Sequence, residues 1–110
     1  MAMAQRLQLL QQILGKSPND SFALFAIAKE YEGMGDPEQA LKFYLHLQQT
    51  DPGYVGLYYH LGKLYITLNR PDDALQTYRT GMEVARKAGD MHAYSELNGA
   101  RLEIDEEDDF

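Results

Sequence analysis

Histidine is the side chain best suited to proton transfer or metal ligation near neutral pH, and the chain carries three, His46, His60 and His92. They are far apart in sequence, with no His-x3-His pair and no cysteine to complete a ligand set, so the pattern specifies no metal site. Asp72 and Asp73 form a carboxylate pair, but they follow Pro71 at the start of an expected helix, where acidic groups offset the macrodipole. The chain contains no G-x-S-x-G, P-loop or H-E-x-x-H pattern. Without cysteine it has neither a thiol nucleophile nor a disulfide framework. An enzyme is therefore not expected, nor is any cofactor or bound metal. Recognition is the chemistry left open: Lys29 and Lys63 stand about one repeat apart in an otherwise acidic chain, two ammonium groups that could receive a carboxylate or an acidic peptide.

The elements that must position these groups are those of one small domain. At 110 residues the chain is long enough for one core and short for two. An apolar share of 45 % is too high for general disorder. The net charge of -7, with its acidic excess in 103–110, repels phosphate backbones and anionic lipid, so neither nucleic acid nor membrane is an expected partner. No basic region followed by an apolar run opens the sequence, and no stretch approaches the roughly 18 apolar residues of a membrane span. A soluble, cytoplasmic protein is expected.

The organisation is repetitive. Gly35-Asp36-Pro37-Glu38-Gln39-Ala40-Leu41 returns about 34 residues later as Asn69-Arg70-Pro71-Asp72-Asp73-Ala74-Leu75. Tyr31 and Tyr65, Tyr44 and Tyr78, and the pairs Ile27-Ala28 and Leu61-Gly62 keep the same register. Each unit reads as helix, tight turn, helix, because Leu24, Ile27, Ala28 and Tyr31 share one face at helical spacing, as do Ala40, Leu41, Tyr44 and Leu47. Gly33-Met-Gly35 suits a helix end, Asp36 an N-cap and Pro37 the first helical position. At the second turn Arg70 is a poor cap acceptor, which makes that turn the weaker. Thr50-Asp51-Pro52-Gly53 breaks the chain between units, as Ser17-Pro18-Asn19-Asp20 does before the first. Upstream, Leu7, Leu10, Ile13 and Leu14 outline a helix in phase with the repeats.

These residues resemble the tetratricopeptide repeat family, whose 34-residue motif pairs large, small and aromatic positions on two helices. The first repeat would run over 21–54, with Leu24, Ile27, Ala28, Tyr31, Ala40, Tyr44 and Pro52 matching. The second would run over 55–88, with Tyr58, Leu61, Gly62, Tyr65, Ala74, Tyr78 and Gly81 matching. Leu47 departs from a position the family keeps small, which implies wider packing of that helix. Arg86 stands in place of the closing proline, so the helix from Pro71 is expected to continue to about Ala88. The resemblance implies an all-α fold of about six helices, antiparallel hairpins stacked as a short right-handed solenoid. Within 1–110 as a single domain, 3–16 and 91–105 would be capping helices and 106–110 an acidic tail.

In that family the first helix of each unit lines a concave groove. The facing positions here are Phe22, Phe25, Lys29 and Glu32, then Gly56, Tyr59, Lys63 and Ile66. The implied function is a non-catalytic scaffold or adaptor holding a partner peptide. Phe25, Tyr59 and Phe22 would be apolar anchors, Ile66 would line the groove, and Lys29 and Lys63 would orient an acidic or C-terminal carboxylate group. Phe22 has an equal claim to packing on the N-terminal helix. The family's carboxylate-clamp pattern is incomplete, since Ala26 and His60 occupy positions where it needs polar or basic groups. Self-association through the groove or an exposed end is the alternative, because two repeats are fewer than the three usually needed for a stable array. A small enzyme using groove histidines is the third class. The acidic tail is expected to be solvated; occupancy of the Lys29/Lys63 groove is its alternative.

Overall fold

The computed structural model describes residues 3–108, with side chains over 5–105. Six α-helices and no strands are found among the described residues: α1 (Met3–Lys16), α2 (Ser21–Gly33), α3 (Pro37–Thr50), α4 (Gly56–Thr67), α5 (Pro71–Ala88) and α6 (Met91–Asp108). They form two compact units that divide between Tyr54 and Val55.

In the first unit α2 packs on both α1 and α3. The Asp20 carboxylate accepts the Ala23 N–H at 2.8 Å, which satisfies one of the donors that every helix start leaves orphaned. Leu24, Ile27 and Ala28 are then fully buried together with Ala40, Tyr44 and Leu47 of α3. Tyr31, from the same sequence pattern, is only half-buried; its ring stacks on Phe43 at 5.6 Å at the edge of the core. On α1, Ile13 stays 39 % exposed. Ser21 at the start of α2 donates to Asp51 beyond the end of α3 at 2.6 Å, tying the two ends of the unit together.

In the second unit α5 packs on α4 and α6, and α6 also touches α4. Two glycines let α4 and α5 approach. A Cβ on Gly62 would lie 2.2 Å from a ring atom of Tyr78, and one on Gly81 would lie 2.4 Å from the Cβ of Tyr58. Leu57, Tyr58, Leu61, Tyr78, Ala85 and Leu97 fill this core.

The turns share one construction of the backbone. Gly35, Asn69 and Gly89 sit at φ 75°, 59° and 74°, the left-handed conformation that closes a Schellman motif. The next residue, Asp36, Arg70 or Asp90, donates its N–H back to Tyr31, Tyr65 or Ala85 at 2.8–2.9 Å. That same residue stands directly before the following helix, at its N-cap position. Asp36 and Asp90 accept the N–H of Gln39 and Ala93. Arg70 makes no such bond; it pairs with Asp73 at 2.8 Å and lies 4.8 Å over the Tyr65 ring. Asp36→Ala is accordingly expected to lower stability by about 1 kcal/mol, read as the midpoint shift in urea unfolding.

α6 continues to Asp108, three residues past the expected boundary of 105. Of the acidic segment 106–110, residues 109 and 110 and all five side chains lie outside the described residues.

Candidate peptide-binding residues

Each repeat carries the same aromatic–lysine arrangement on its first helix. On α2 the Lys29 ammonium lies 5.8 Å from the centroid of the Phe25 ring. On α4 the Lys63 ammonium lies 5.5 Å from that of Tyr59. Both pairs are separated by four residues, the spacing that brings side chains onto one helical face. A cation over a ring face is held by the aromatic quadrupole. Both lysines are exposed and both rings half-buried, so each ammonium stays available to a ligand.

The rings are seated from beneath. Phe25 meets Tyr44 at 6.0 Å and Tyr54 at 5.4 Å, both tilted. Burial and the neighbouring Asp51 raise the Tyr54 phenol above its ordinary range, so it stays protonated beside Phe25. Tyr54 was not among the expected site residues; its position after Pro52-Gly53 gives no periodic signal. Tyr59 has His60 edge-on at 5.8 Å.

The remaining expected residues are distributed differently. Phe22 is 65 % exposed and lines a shallow hollow of about 330 Å³ with Arg6, Leu9, Leu10, Ala26 and Glu30, so its described neighbours include α1. Glu32 accepts the Tyr44 hydroxyl. Burial first, and Glu32 second, push that phenol far above the usual range. Ile66 is 43 % exposed, and Gly56 opens α4 and offers no side chain.

The three histidines stand on α3, α4 and α6. His46 lies 2.9 Å from the Asn19 side chain on the surface. Among the described residues no group of three His, Asp or Glu is arranged to hold a metal ion, and no helix is long and apolar enough to cross a membrane.

The family model for the tetratricopeptide repeat matches residues 33–96. The solution structure of a tetratricopeptide repeat domain protein from Salinibacter ruber is 47 % identical, with a TM-score of 0.76 over 79 % of this chain and 88 % of that one. Two further structures share the fold at low identity. PcrH, in complex with the chaperone-binding region of PopD, has a TM-score of 0.87 at 13 % identity, over 96 % of this chain and 80 % of its own. The translocator chaperone SycD of Yersinia enterocolitica has a TM-score of 0.88 at 12 % identity, over 98 % of this chain and 75 % of its own. No curated protein matches the chain significantly. The 34-residue register, the helix–turn–helix units and the match across more than half of its length establish that the chain belongs to the tetratricopeptide repeat family.

Proposed function

We propose that this chain is a non-catalytic protein-interaction module that holds a peptide segment of a partner on the first helices of its repeats. The observation that carries the reading is the recurrence of one aromatic–lysine pair, Phe25–Lys29 and Tyr59–Lys63, at matching positions of the two units. The fold neighbour PcrH, solved with a segment of PopD, is an instance of the same fold engaging a partner segment. The rings supply apolar anchors and the ammonium groups receive a carboxylate, from an acidic side chain or a chain end. Capture from a cell lysate by wild type and by the Lys29→Glu, Lys63→Glu double variant, side by side, tests this. A protein retained by the first and lost by the second, with helicity unchanged, supports the assignment; equal retention refutes it.

Self-association is a second reading, favoured by the exposed Leu9 and Phe22 that line the hollow of α1 and α2 and by the exposed Ile13 of α1. An apolar patch of this kind is a common protein contact. Solution mass over a dilution series decides it: a monomer at every concentration removes this reading. A dimer that Phe22→Glu dissociates supports it.

A further inference from the structure

Three of the chain's five arginines, Arg79, Arg86 and Arg101, line one open cleft of about 290 Å³ on the second unit, with Met82, Glu83, Tyr94 and Asn98. Guanidinium is the side chain best matched to planar oxyanions, because its five N–H donors form a fixed fork. The cleft's own carboxylates use only part of that supply. Arg86 is held by Glu83 through Nε and one terminal nitrogen, which leaves the other terminal nitrogen without a described acceptor. Arg101 spends its donors on Asp105 and on Asn98 Oδ1. Because that oxygen accepts twice from Arg101, the Asn98 amide is oriented with its NH2 directed away from the guanidinium. Arg79 has the weakest arrangement, a single described ion pair at 3.9 Å to an Asp105 already bonded to Arg101, with 59 % of its side chain exposed. Among the described ion pairs, these three guanidiniums share two carboxylates, Glu83 of the cleft and Asp105 beside it.

We propose that this α5–α6 cleft is a second binding site, separate from the aromatic–lysine pairs, and that it takes an acidic peptide segment of a partner protein. Carboxylate is favoured over a nucleic-acid backbone because the cleft already forks carboxylates, while the protein's overall negative field repels a long polyphosphate. Arg79 and Arg86 are two helical turns apart on one face of α5, about 10 Å at a rise of ~1.5 Å per residue. An extended peptide with an acidic residue at every third position repeats at about 9 Å in the polyproline II conformation, so neighbouring carboxylates can reach both guanidiniums. A small apolar residue between them would lie toward Met82.

The probe is the peptide Glu-Leu-Pro-Glu-Leu-Pro-Glu, blocked at both ends, titrated into the full chain while backbone amide NMR shifts are followed. Saturable shifts across 79–101 are expected, at least ten-fold weaker for the Gln-for-Glu peptide. They should also be at least ten-fold weaker in each of Arg79→Glu and Arg86→Glu. Both arginines are exposed, and circular dichroism should show the variants fully helical. No saturable shift across 79–101 overturns the site, as does affinity within two-fold for the Gln peptide or for either variant. Shifts confined to α2 and α4 sink this site while leaving the aromatic–lysine reading standing. Tighter binding of a single-stranded oligonucleotide than of the peptide would mean the wrong class of ligand.

Discussion

Gly81→Ala is expected to destabilise the second unit by about 2–3 kcal/mol, the upper part of the roughly 1–3 kcal/mol range for forcing extra atoms into a packed core, even though alanine is the better helix former by about 1 kcal/mol. The added Cβ meets the Cβ of Tyr58 at 2.4 Å, an atom fixed to the α4 backbone, so no rotamer change relieves the contact and the helices must separate. Gly62→Ala clashes instead with the ring atoms of Tyr78, which a smaller side chain would remove. Double-mutant cycles distinguish the two. Tyr78→Leu should rescue Gly62→Ala with a coupling of about 1–2 kcal/mol, whereas Tyr58→Leu should leave Gly81→Ala unrescued. Gly99→Ala is the control: nothing lies within 4 Å of its added Cβ, and in a helix interior it should stabilise by about 0.5–1 kcal/mol. Urea unfolding of the set checks all of these, and a neutral Gly81→Ala would contradict the packing described.

The second large effect is alkaline unfolding. Tyr44 and Tyr78 are buried, and burial raises both phenols above the ordinary value of 10.0, Tyr78 to about 12 and Tyr44 further. A raised folded-state value means that the unfolded chain ionises first. The stabilisation is therefore complete below pH 10 and is lost as pH climbs toward the folded value. At about 1.4 kcal/mol per pH unit for each group, each unit should lose roughly 2 kcal/mol by pH 12. A small fold has only about 5–15 kcal/mol in total. Helicity and tyrosinate absorbance, followed together, should change in one cooperative step above pH 10. Tyr44→Phe and Tyr78→Phe should each move that step to higher pH. Ionisation of all eight tyrosines at ordinary values with helicity intact would contradict the burial.

Much of this was legible because turn chemistry and periodicity are local. Asp36 and Pro37 announce a helix start, and the alternation of large and small residues along each helix marks the buried face. The two units show how the same register tolerates different residues: Leu24 and Leu47 are fully buried at the positions that Tyr58 and Gly81 hold in the second repeat. A Cβ at Gly81 would meet Tyr58 at 2.4 Å, whereas the first repeat buries a whole leucine side chain at the matching Leu47.

The exceptions are non-local. Tyr31 belongs to the buried pattern by spacing, yet Phe43 receives it at the rim of the core. Asn69 adopts a left-handed conformation, which asparagine tolerates better than other residues with a side chain, at the position equivalent to Gly35. For the candidate site, the spacing of Phe25 to Lys29 and Tyr59 to Lys63 is visible in the sequence, whereas Tyr54 comes to Phe25 through an irregular turn. The arginine cleft needs α5 and α6 placed side by side before Arg79, Arg86 and Arg101 meet; no spacing along either helix reveals it.

Site-specific photo-crosslinking in cells tests most directly the proposal that α2 and α4 present Phe25 and Tyr59 to a partner. With benzoylphenylalanine at position 25, at position 59, or at the exposed Leu45 of α3 as reference, a covalent adduct to another protein is predicted from 25 and 59 and none from 45. Adducts from 45 alone, or from none of the three, would contradict it.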